Sequence, residues 1–305
     1  MYPVRMVKVT KMTAMEGAQG AMGMPEVTVM PKLKLESRVT LNNGVKMPVL
    51  GLGTFEMGSA WQTRESVLEA IRMGYRLIDT ARMYGNEEPV GEAVRQSGVS
   101  REELFVTSKL WSDDHGHDRA IKAVDRSLKA LGLDYLDLFL IHWPTGGKRV
   151  ETWKALVKLQ KEGKCRAIGV ANYMIGHLVE TLSGSDVVPA VDQVECNPFI
   201  FHDELLDFCR SRGVQVEAYR PLAKATMMNQ PVLKVVSSKH RKTPAQVLIR
   251  WSLQRGLVPI PKSVHRVRLA ENIDVFDFEL PAQDMKLLDS LNRDMHLTAD
   301  PEGIP

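Results

Sequence analysis

The chain has 305 residues, of which 44% are hydrophobic and 25% charged, and its composition excludes a disordered protein. Its net charge of +3 includes no long basic run, and no apolar run approaches the roughly 20 residues of a membrane span, so nucleic-acid and membrane binding are not expected. Three scattered cysteines predict neither a disulfide framework nor a cysteine metal site. We expect a soluble, cytoplasmic monomer.

Residues 1–35 differ from the rest of the sequence. They hold seven of the sixteen methionines, five basic and two acidic residues, and no sustained periodicity. We interpret them as a mobile, disordered N-terminal extension. A transit peptide is a weaker interpretation, because Glu16 and Glu26 interrupt the segment. From Arg38 onward, alternating apolar residues flank Asn43-Gly44, which predicts a β-hairpin and places the folded domain at residues 36–305.

Eight short apolar runs follow the hairpin, and amphipathic segments separate them. The runs are LGLGTF, RLIDTA, LFVTSKL, LDLFLIHW, CRAIGVAN, AVDQVECN, VQVEAYRPL and LVPIPKS. Continuous apolar strands that alternate with helices predict an α/β fold with parallel strands, and a (β/α)8 TIM barrel is the simplest closure. Between the last two runs, Thr243, Pro244 and Gln246 predict a helix that begins with a capping box. A doubly wound sheet is the alternative, but GLGTFEMG at 51–58 matches only part of the dinucleotide fingerprint.

Six of the apolar runs end on, or contain near their end, a polar residue. In a barrel these residues converge at the carboxyl ends of the strands, where chemistry takes place. Each one alone has an ordinary explanation, such as a helix cap, a rim charge or a satisfied core residue. Together they predict a site. They are Asp79, Lys109, His142, Asn172, Gln193 and Lys262.

The first strand-end residues suggest an acid catalyst. Asp79 and Lys109 are expected to pair, since buried charges need partners, and the loop after Asp79 returns Tyr84 to the same region. We expect Lys109 to lower the pKa of Tyr84 and make it a general acid, while His142 orients a carbonyl oxygen. Such a set suits carbonyl reduction. Hydride must come from a nicotinamide cofactor, because protein side chains do not supply it.

A second cluster, IPKSVHRVRLAEN at 260–272, opens a helix after the last strand. It predicts a phosphate pocket, because the loops after the final strands of such barrels are usual phosphate sites. A solvated basic helix start is the alternative, although cations are unfavourable at a helix amino terminus. The polar residues of the cluster are Lys262, Ser263, His265, Arg266 and Arg268.

The stretch DDHGH at 113–117 holds two histidines and two aspartates, which could suggest a metal site. His115 and His117 lack the spacing of a known site, so we expect a solvated loop on the substrate side and no metal.

On these motifs the sequence resembles the aldo-keto reductase family. GYRLIDTARMYGNEEPVG and IPKSVHRVR resemble the catalytic and phosphate-binding signatures of the family, and the likeness covers roughly residues 38–295. It implies NADPH as cofactor and a catalytic tetrad in which Tyr84 is the acid. The implied tetrad is Asp79, Tyr84, Lys109 and His142. The implied substrate contacts are Tyr84, Trp111 and His142.

The resemblance also implies a set of cofactor contacts. Asn172 and Gln193 would bind the carboxamide, and Tyr219 would stack on the nicotinamide. The 2′-phosphate would be held by Lys262, Ser263 and Arg268, and the adenine by Glu271 and Asn272. The full implied set is Gly53, Thr54, Asp79, Asn172, Gln193, Tyr219, Arg220, Pro221, Leu222, Lys262, Ser263, Val264, Arg268, Glu271 and Asn272.

Several positions depart from the family pattern. Ala171 and Asp192 replace a usual serine and asparagine, and Arg220 replaces a serine, so that Arg220 either strengthens a phosphate contact or re-aims its loop. The loop from Ala223 is short, so we expect the nucleotide to be held less tightly and to exchange faster. The tail DMHLTADPEGIP is also short and has no Phe, Tyr or Trp, which leads us to expect an open, permissive site. The predicted activity is reduction of small aldehydes and ketones, keto sugars or prostaglandin-like carbonyls. Alcohol oxidation, and an NADPH-binding regulatory subunit like the potassium-channel β-subunits, are the alternatives.

Overall fold

The computed structural model of the chain describes residues 32–304. Most of the extension predicted at residues 1–35 therefore lies outside the described residues, and both its character and the domain boundary at residue 36 stay predictions. The predicted hairpin is confirmed. Strand β1 (Arg38–Thr40) pairs in antiparallel register with β2 (Lys46–Pro48), and Gly44 adopts a positive φ of 86° in the turn.

The predicted barrel is confirmed. Its eight parallel strands are hydrogen-bonded in chain order. They are β3 (Gly51–Gly53), β4 (Leu77–Asp79), β5 (Phe105–Leu110), β6 (Leu136–Ile141), β7 (Cys165–Ala171), β8 (Val191–Glu195), β9 (Gln215–Tyr219) and β10 (Val258–Pro259). The Gly53 amide donates a hydrogen bond of 3.3 Å to the Pro261 carbonyl, which links the first strand to the segment after the last. A Cβ atom on Gly53 would lie 2.9 Å from the Ile260 carbonyl oxygen, so this approach requires glycine.

Helices surround the strands. They are α1 (Ala60–Arg72), α2 (Glu87–Gln96), α3 (His117–Leu131), α4 (Arg149–Lys161), α5 (Ile175–Ser183), α6 (Asp203–Ser211), α7 (Pro231–His240), α8 (Pro244–Gln254), α9 (Arg266–Ile273) and α10 (Ala282–Asp289). The predicted capping box is present at α8, where Thr243 and Gln246 each accept a hydrogen bond from the backbone amide of the other. Among residues 32–304, no helix is both long and apolar enough to cross a membrane.

The core has two layers. One lies between the strands and the helices, and the other fills the barrel with residues such as Phe105 and Leu140. Met47 and Leu41 of the hairpin pack into this inner layer, and Asn42 donates a 2.9 Å hydrogen bond to the Pro189 carbonyl, just before β8. The hairpin therefore covers the amino-terminal end of the barrel. Its other end, which we call the barrel mouth, is formed by the carboxyl ends of β3–β10.

Candidate active site

Asp79 and Lys109 form a buried ion pair at the barrel mouth. Lys109 lies in β5 and its Nζ atom donates to Asp79 Oδ1 at 2.6 Å, to Oδ2 at 2.7 Å and to the Thr80 carbonyl at 3.0 Å. Burial opposes the ammonium, but Asp79 and Tyr84 outweigh it and raise the pKa of Lys109. Burial also raises the pKa of Asp79, which Lys109 opposes. The short contacts to both carboxylate oxygens favour the ionised pair, because each charge is the other's main compensation.

Tyr84 reaches this pair from the loop after β4. The loop contains a 3-10 turn at Arg82–Tyr84, and Gly85 leaves the turn with a left-handed φ of 66°. Asn86 anchors it, since its side chain accepts from the Thr80 hydroxyl and donates to the Thr54 carbonyl, both at 2.8 Å. The Tyr84 hydroxyl consequently lies 3.3 Å from Lys109 Nζ.

The expected direction of the Tyr84 pKa shift is wrong. Burial raises the pKa of Tyr84, and Lys109 offsets that rise only in part. The phenol is therefore protonated at neutral pH, which is the form that a proton donor requires. The charge of Lys109 favours the ionised form of the phenol, although burial outweighs it.

His142 follows β6 and is buried beside Tyr84 and Trp111. Its ring lies edge-on to both, with centroid distances of 5.7 Å to Tyr84 and 5.2 Å to Trp111. Burial lowers the pKa of His142 well below its usual value, and the charge of Lys109 adds to the effect. The imidazole is neutral, so it can orient a substrate oxygen by a hydrogen bond without competing with Tyr84 as the acid.

A cavity of about 690 Å³ opens at the barrel mouth beside these side chains. Most of the residues predicted from the resemblance line it. They are Gly53, Asp79, Tyr84, His142, Asn172, Gln193, Tyr219, Arg220, Pro221, Leu222, Lys262, Ser263, Arg268, Glu271 and Asn272. Thr54, Val264, Trp111 and Lys109 are not among its lining residues. Thr54 is fully buried behind Gly53, and its amide donates to the Asp79 carbonyl at 3.0 Å.

The end of the cavity near α9 is suited to an anionic ligand with a polar ring. Lys262 and Arg268 line it, and neither forms an ion pair with another residue in the range 32–304. Burial lowers the pKa of Lys262, opposed by Glu56, so this amine gains from a negative partner. The Asn272 side-chain amide nitrogen is buried there with no protein hydrogen-bond partner among the described residues. These features fit the adenosine phosphate end of NADPH.

Arg266 and Arg268 separate within the basic cluster. Arg266 is directed away from the cavity and donates to Glu69 of α1 at 2.6 Å. His265 is not a lining residue either, and its amide donates to the Ser263 hydroxyl at 3.1 Å. Of the five cluster residues, only Lys262, Ser263 and Arg268 face the cavity.

The amides predicted to bind a carboxamide already make internal hydrogen bonds. Asn172, with a left-handed φ of 61°, donates to the His142 carbonyl at 2.9 Å and accepts from the Tyr219 hydroxyl at 2.7 Å. Gln193 Nε2 donates to Asp79 Oδ2 at 2.9 Å and to Glu217 Oε2 at 2.6 Å. Both amide hydrogens of Gln193 are thus used within the protein, and a cofactor amide would meet its carbonyl oxygen.

Glu217 was missed from the sequence. It lies in the middle of β9, is fully buried, and its Oε1 atom has no hydrogen-bond partner among the described residues. Burial, followed by the charge of Asp79, raises the pKa of Glu217 to about 8, and Gln193 and Lys109 oppose the rise. An acidic residue inside the apolar run VQVEAY was the available signal. It lies in the middle of the run, whereas the chemistry of such barrels is expected at the carboxyl ends of the strands.

Arg220 connects the barrel mouth to the C-terminal tail. Its guanidinium donates to the Thr298 hydroxyl and lies 3.8 Å from Glu195 Oε2. Glu195 in turn accepts hydrogen bonds from the backbone amides of Leu297 and Thr298, at 3.2 Å and 3.0 Å. The sequence led us to expect that Arg220 strengthens a phosphate contact or re-aims its loop. It did not predict the contact with the C-terminal tail. The short tail is fastened at the mouth, and Thr298 lines the cavity.

The stretch DDHGH is not the solvated loop that we expected. Asp114 and His115 are both buried. Asp114 pairs with Arg82 and Arg126, and burial lowers the pKa of His115 to about 4. A structural role replaces the expected solvated one, because two arginines compensate the buried carboxylate.

Two substituted positions in the family pattern lie in buried surroundings. Ala171 belongs to the inner barrel layer. Asp192 is fully buried, and burial raises its pKa well above the usual value. Nothing in the structure explains a benefit of aspartate over asparagine there.

Comparison with known proteins agrees with this geometry. The sequence profile described as "Aldo/keto reductase family" matches residues 49–293. The chain is 48% identical over 270 residues to a glyoxal reductase of Bacillus subtilis (strain 168), covering 88% of this chain and 98% of that protein. It is 45% identical over 268 residues to a 9,11-endoperoxide prostaglandin H2 reductase of Trypanosoma cruzi (strain CL Brener), covering 87% and 95%.

Solved structures of aldo-keto reductases and related proteins are also similar to this chain. A Gox0644 variant in complex with NADPH superposes with a TM-score of 0.83 at 42% identity, covering 88% of this chain and 98% of that one. A Bombyx mori aldo-keto reductase in complex with NADP has a TM-score of 0.81 at 37% identity, with 87% and 95% covered.

Proposed function

Because the chain belongs to the aldo/keto reductase family, we propose that Tyr84 protonates the carbonyl oxygen of small aldehydes and ketones at the barrel mouth. The enzyme is an NADPH-dependent oxidoreductase that reduces carbonyl groups. The observation that carries the residue assignment is the Tyr84 hydroxyl in the cavity wall, 3.3 Å from a lysine that is itself bound to both oxygens of Asp79.

The four side chains have separable tasks in this proposal. Tyr84 gives its proton to the oxygen on which negative charge develops. Lys109 stabilises the resulting phenolate, and Asp79 keeps the ammonium charged and in place. His142, neutral at working pH, fixes the direction of the carbonyl oxygen.

The cavity residues near α9 would hold the cofactor. Lys262, Ser263 and Arg268 are the proposed 2′-phosphate contacts. Asn272 offers the adenine its side-chain amide nitrogen, which has no hydrogen-bond partner within residues 32–304. Tyr219 is proposed to stack on the nicotinamide. Bound NADPH supplies the hydride for the reaction.

The proposed substrates are small, neutral aldehydes, dicarbonyls and ketones. Phe55, Met83 and Trp143 line the cavity near Tyr84, and Phe55 packs against the Tyr84 ring at 4.9 Å. This apolar wall favours an uncharged organic body, and the glyoxal and prostaglandin reductases among the relatives support a broad range. Keto sugars, and prostaglandin-like carbonyls, which are larger and anionic, are further proposed substrates beyond this small, neutral set.

A kinetic screen tests the proposal. NADPH oxidation is followed with glyoxal, simple aldehydes, a keto sugar and a prostaglandin-like ketone, and the reverse reaction with the corresponding alcohols and NADP. We expect turnover with several carbonyls and a higher kcat/KM for glyoxal than for bulky ketones. Protein that binds NADPH but oxidises it with none of them would instead be a cofactor-binding regulatory subunit.

We also propose a cytoplasmic location and a monomeric state. Cys165, Cys196 and Cys209 are all buried and free, which supports a reducing compartment. Cell fractionation and light scattering test the two statements.

A further inference from the structure

Two histidines and an aspartate converge outside the active site. His202 lies immediately before α6, whereas Asp294 and His296 lie in the segment after α10. Asp294 Oδ1 is 3.7 Å from His202 Nε2 and 3.3 Å from His296 Nε2. One ligand atom from each of the three residues lies within 4.8 Å of the other two.

These separations approach those of a metal's ligand shell. Two ligand atoms bound about 2.1 Å from a tetrahedral zinc ion are roughly 3.4 Å apart. The two distances that involve Asp294 are close to this value, and both imidazoles are only partly buried, so a side-chain rotation can shorten the third distance. A second carboxylate oxygen, Asp300 Oδ1, lies 4.0 Å from His296 Nε2 and adds negative charge.

The backbone that carries the cluster is fixed by hydrogen bonds that do not use the ligand side chains. The amides of Arg293 and Met295, on either side of Asp294, both donate to the Phe199 carbonyl at 3.1 Å. The Asn292 side chain donates to the carbonyl of Phe201, the residue before His202, at 2.8 Å. The tail and the loop before α6 therefore stay together without a metal, which lowers the entropic cost of forming a site.

We propose that His202, Asp294 and His296 bind one divalent transition-metal ion of the zinc class. Two imidazoles and a carboxylate suit Zn²⁺, Ni²⁺ or Cu²⁺ better than Mg²⁺ or Ca²⁺, which prefer oxygen ligands. The ion ties the tail to the start of α6. Its tail ligand His296 is two residues before Thr298, which lines the catalytic cavity. The sequence did not indicate this site, because its ligands come from distant segments with no local spacing pattern.

Zinc titration of the full-length protein tests the proposal. Chelator-treated protein is titrated with ZnCl₂ at pH 7.5 by calorimetry, and we expect one equivalent to bind. His202→Ala and Asp294→Asn should each weaken zinc binding by more than roughly tenfold. Loss of a residue that only hydrogen-bonds a metal ligand already costs about that much, so loss of a ligand should cost at least as much. His202 makes no capping hydrogen bond to α6, so its removal should leave the fold intact.

His117→Ala is the matched control. His117 is also a partly exposed histidine beside an aspartate, 2.9 Å from Asp118 Oδ1, but it lies outside the cluster. The His117→Ala variant should bind zinc with the same affinity and stoichiometry as the wild type. In addition, zinc should slow amide hydrogen exchange of residues 293–300 in the wild type and not in Asp294→Asn. No binding below millimolar zinc, or equal binding by all variants, overturns the proposal.

Discussion

The Tyr84 hydroxyl lies 3.3 Å from Lys109 Nζ, although 25 residues separate the two in sequence. Lys109 is fully buried and is bound on its other side to Asp79. Tyr84 thus meets a fixed positive charge at the barrel mouth, with the rings of Phe55 and His142 beside it. Burial keeps the Tyr84 phenol protonated before the reaction. After proton transfer, the positive charge of Lys109 favours the phenolate.

Adding Asp79→Asn to Lys109→Met should restore stability without restoring activity. The single change leaves a buried, unpaired carboxylate, so the free energy of unfolding should fall by about 3–5 kcal/mol. The double variant removes both charges and should recover most of that loss, but it should remain inactive because nothing stabilises the phenolate. Urea unfolding and NADPH oxidation measure the two effects. Recovery of activity in the double variant would contradict the assigned role of Lys109.

Glu217→Gln should change the pH dependence of stability. In the folded state burial raises the pKa of Glu217 to about 8, above its unfolded value. The folded state therefore holds a proton that the unfolded state releases, and the wild type loses stability as pH rises from about 4.5 to 8. Glutamine keeps the oxygen that accepts from Gln193 and cannot ionise.

The wild type should therefore lose stability relative to Glu217→Gln across that pH range, by up to a few kcal/mol. Urea unfolding at intervals from pH 5 to 8 gives the comparison. Parallel stability curves for the two proteins would show that Glu217 does not titrate there.

Arg268→Ala should selectively weaken NADPH binding. A hydrogen bond to a charged group contributes about 1.5–3 kcal/mol, so the NADPH Kd should rise by about tenfold or more while the NADH Kd changes little. Arg266→Ala is a control two positions away, since Arg266 pairs with Glu69 instead of facing the cavity. Fluorescence titration measures both cofactors. An equal loss for NADPH and NADH in Arg268→Ala would argue against a 2′-phosphate contact.

The sequence predicted the positions of the chemistry better than its electrostatics. Asp79, Lys109 and His142 were found because parallel strands bring their carboxyl ends together, so position along the chain is enough to expect proximity. The sign of the Tyr84 pKa shift was wrong because it depends on burial, which several loops determine together. Only tertiary packing decides that Arg266 turns to Glu69, or that Arg220 contacts Thr298 from a distant tail.

Tyr84→Phe is the most direct test of the account. Phenylalanine keeps the ring against Phe55 and removes only the hydroxyl, so the NADPH Kd should stay within about twofold of the wild-type value. Because general acid catalysis contributes about 10²–10⁴-fold, kcat for glyoxal reduction should fall by roughly 100-fold or more. The measurement is kcat with saturating NADPH, beside cofactor binding by fluorescence. A variant that binds NADPH normally and keeps kcat within tenfold of the wild type would contradict the assignment of Tyr84 as the proton donor.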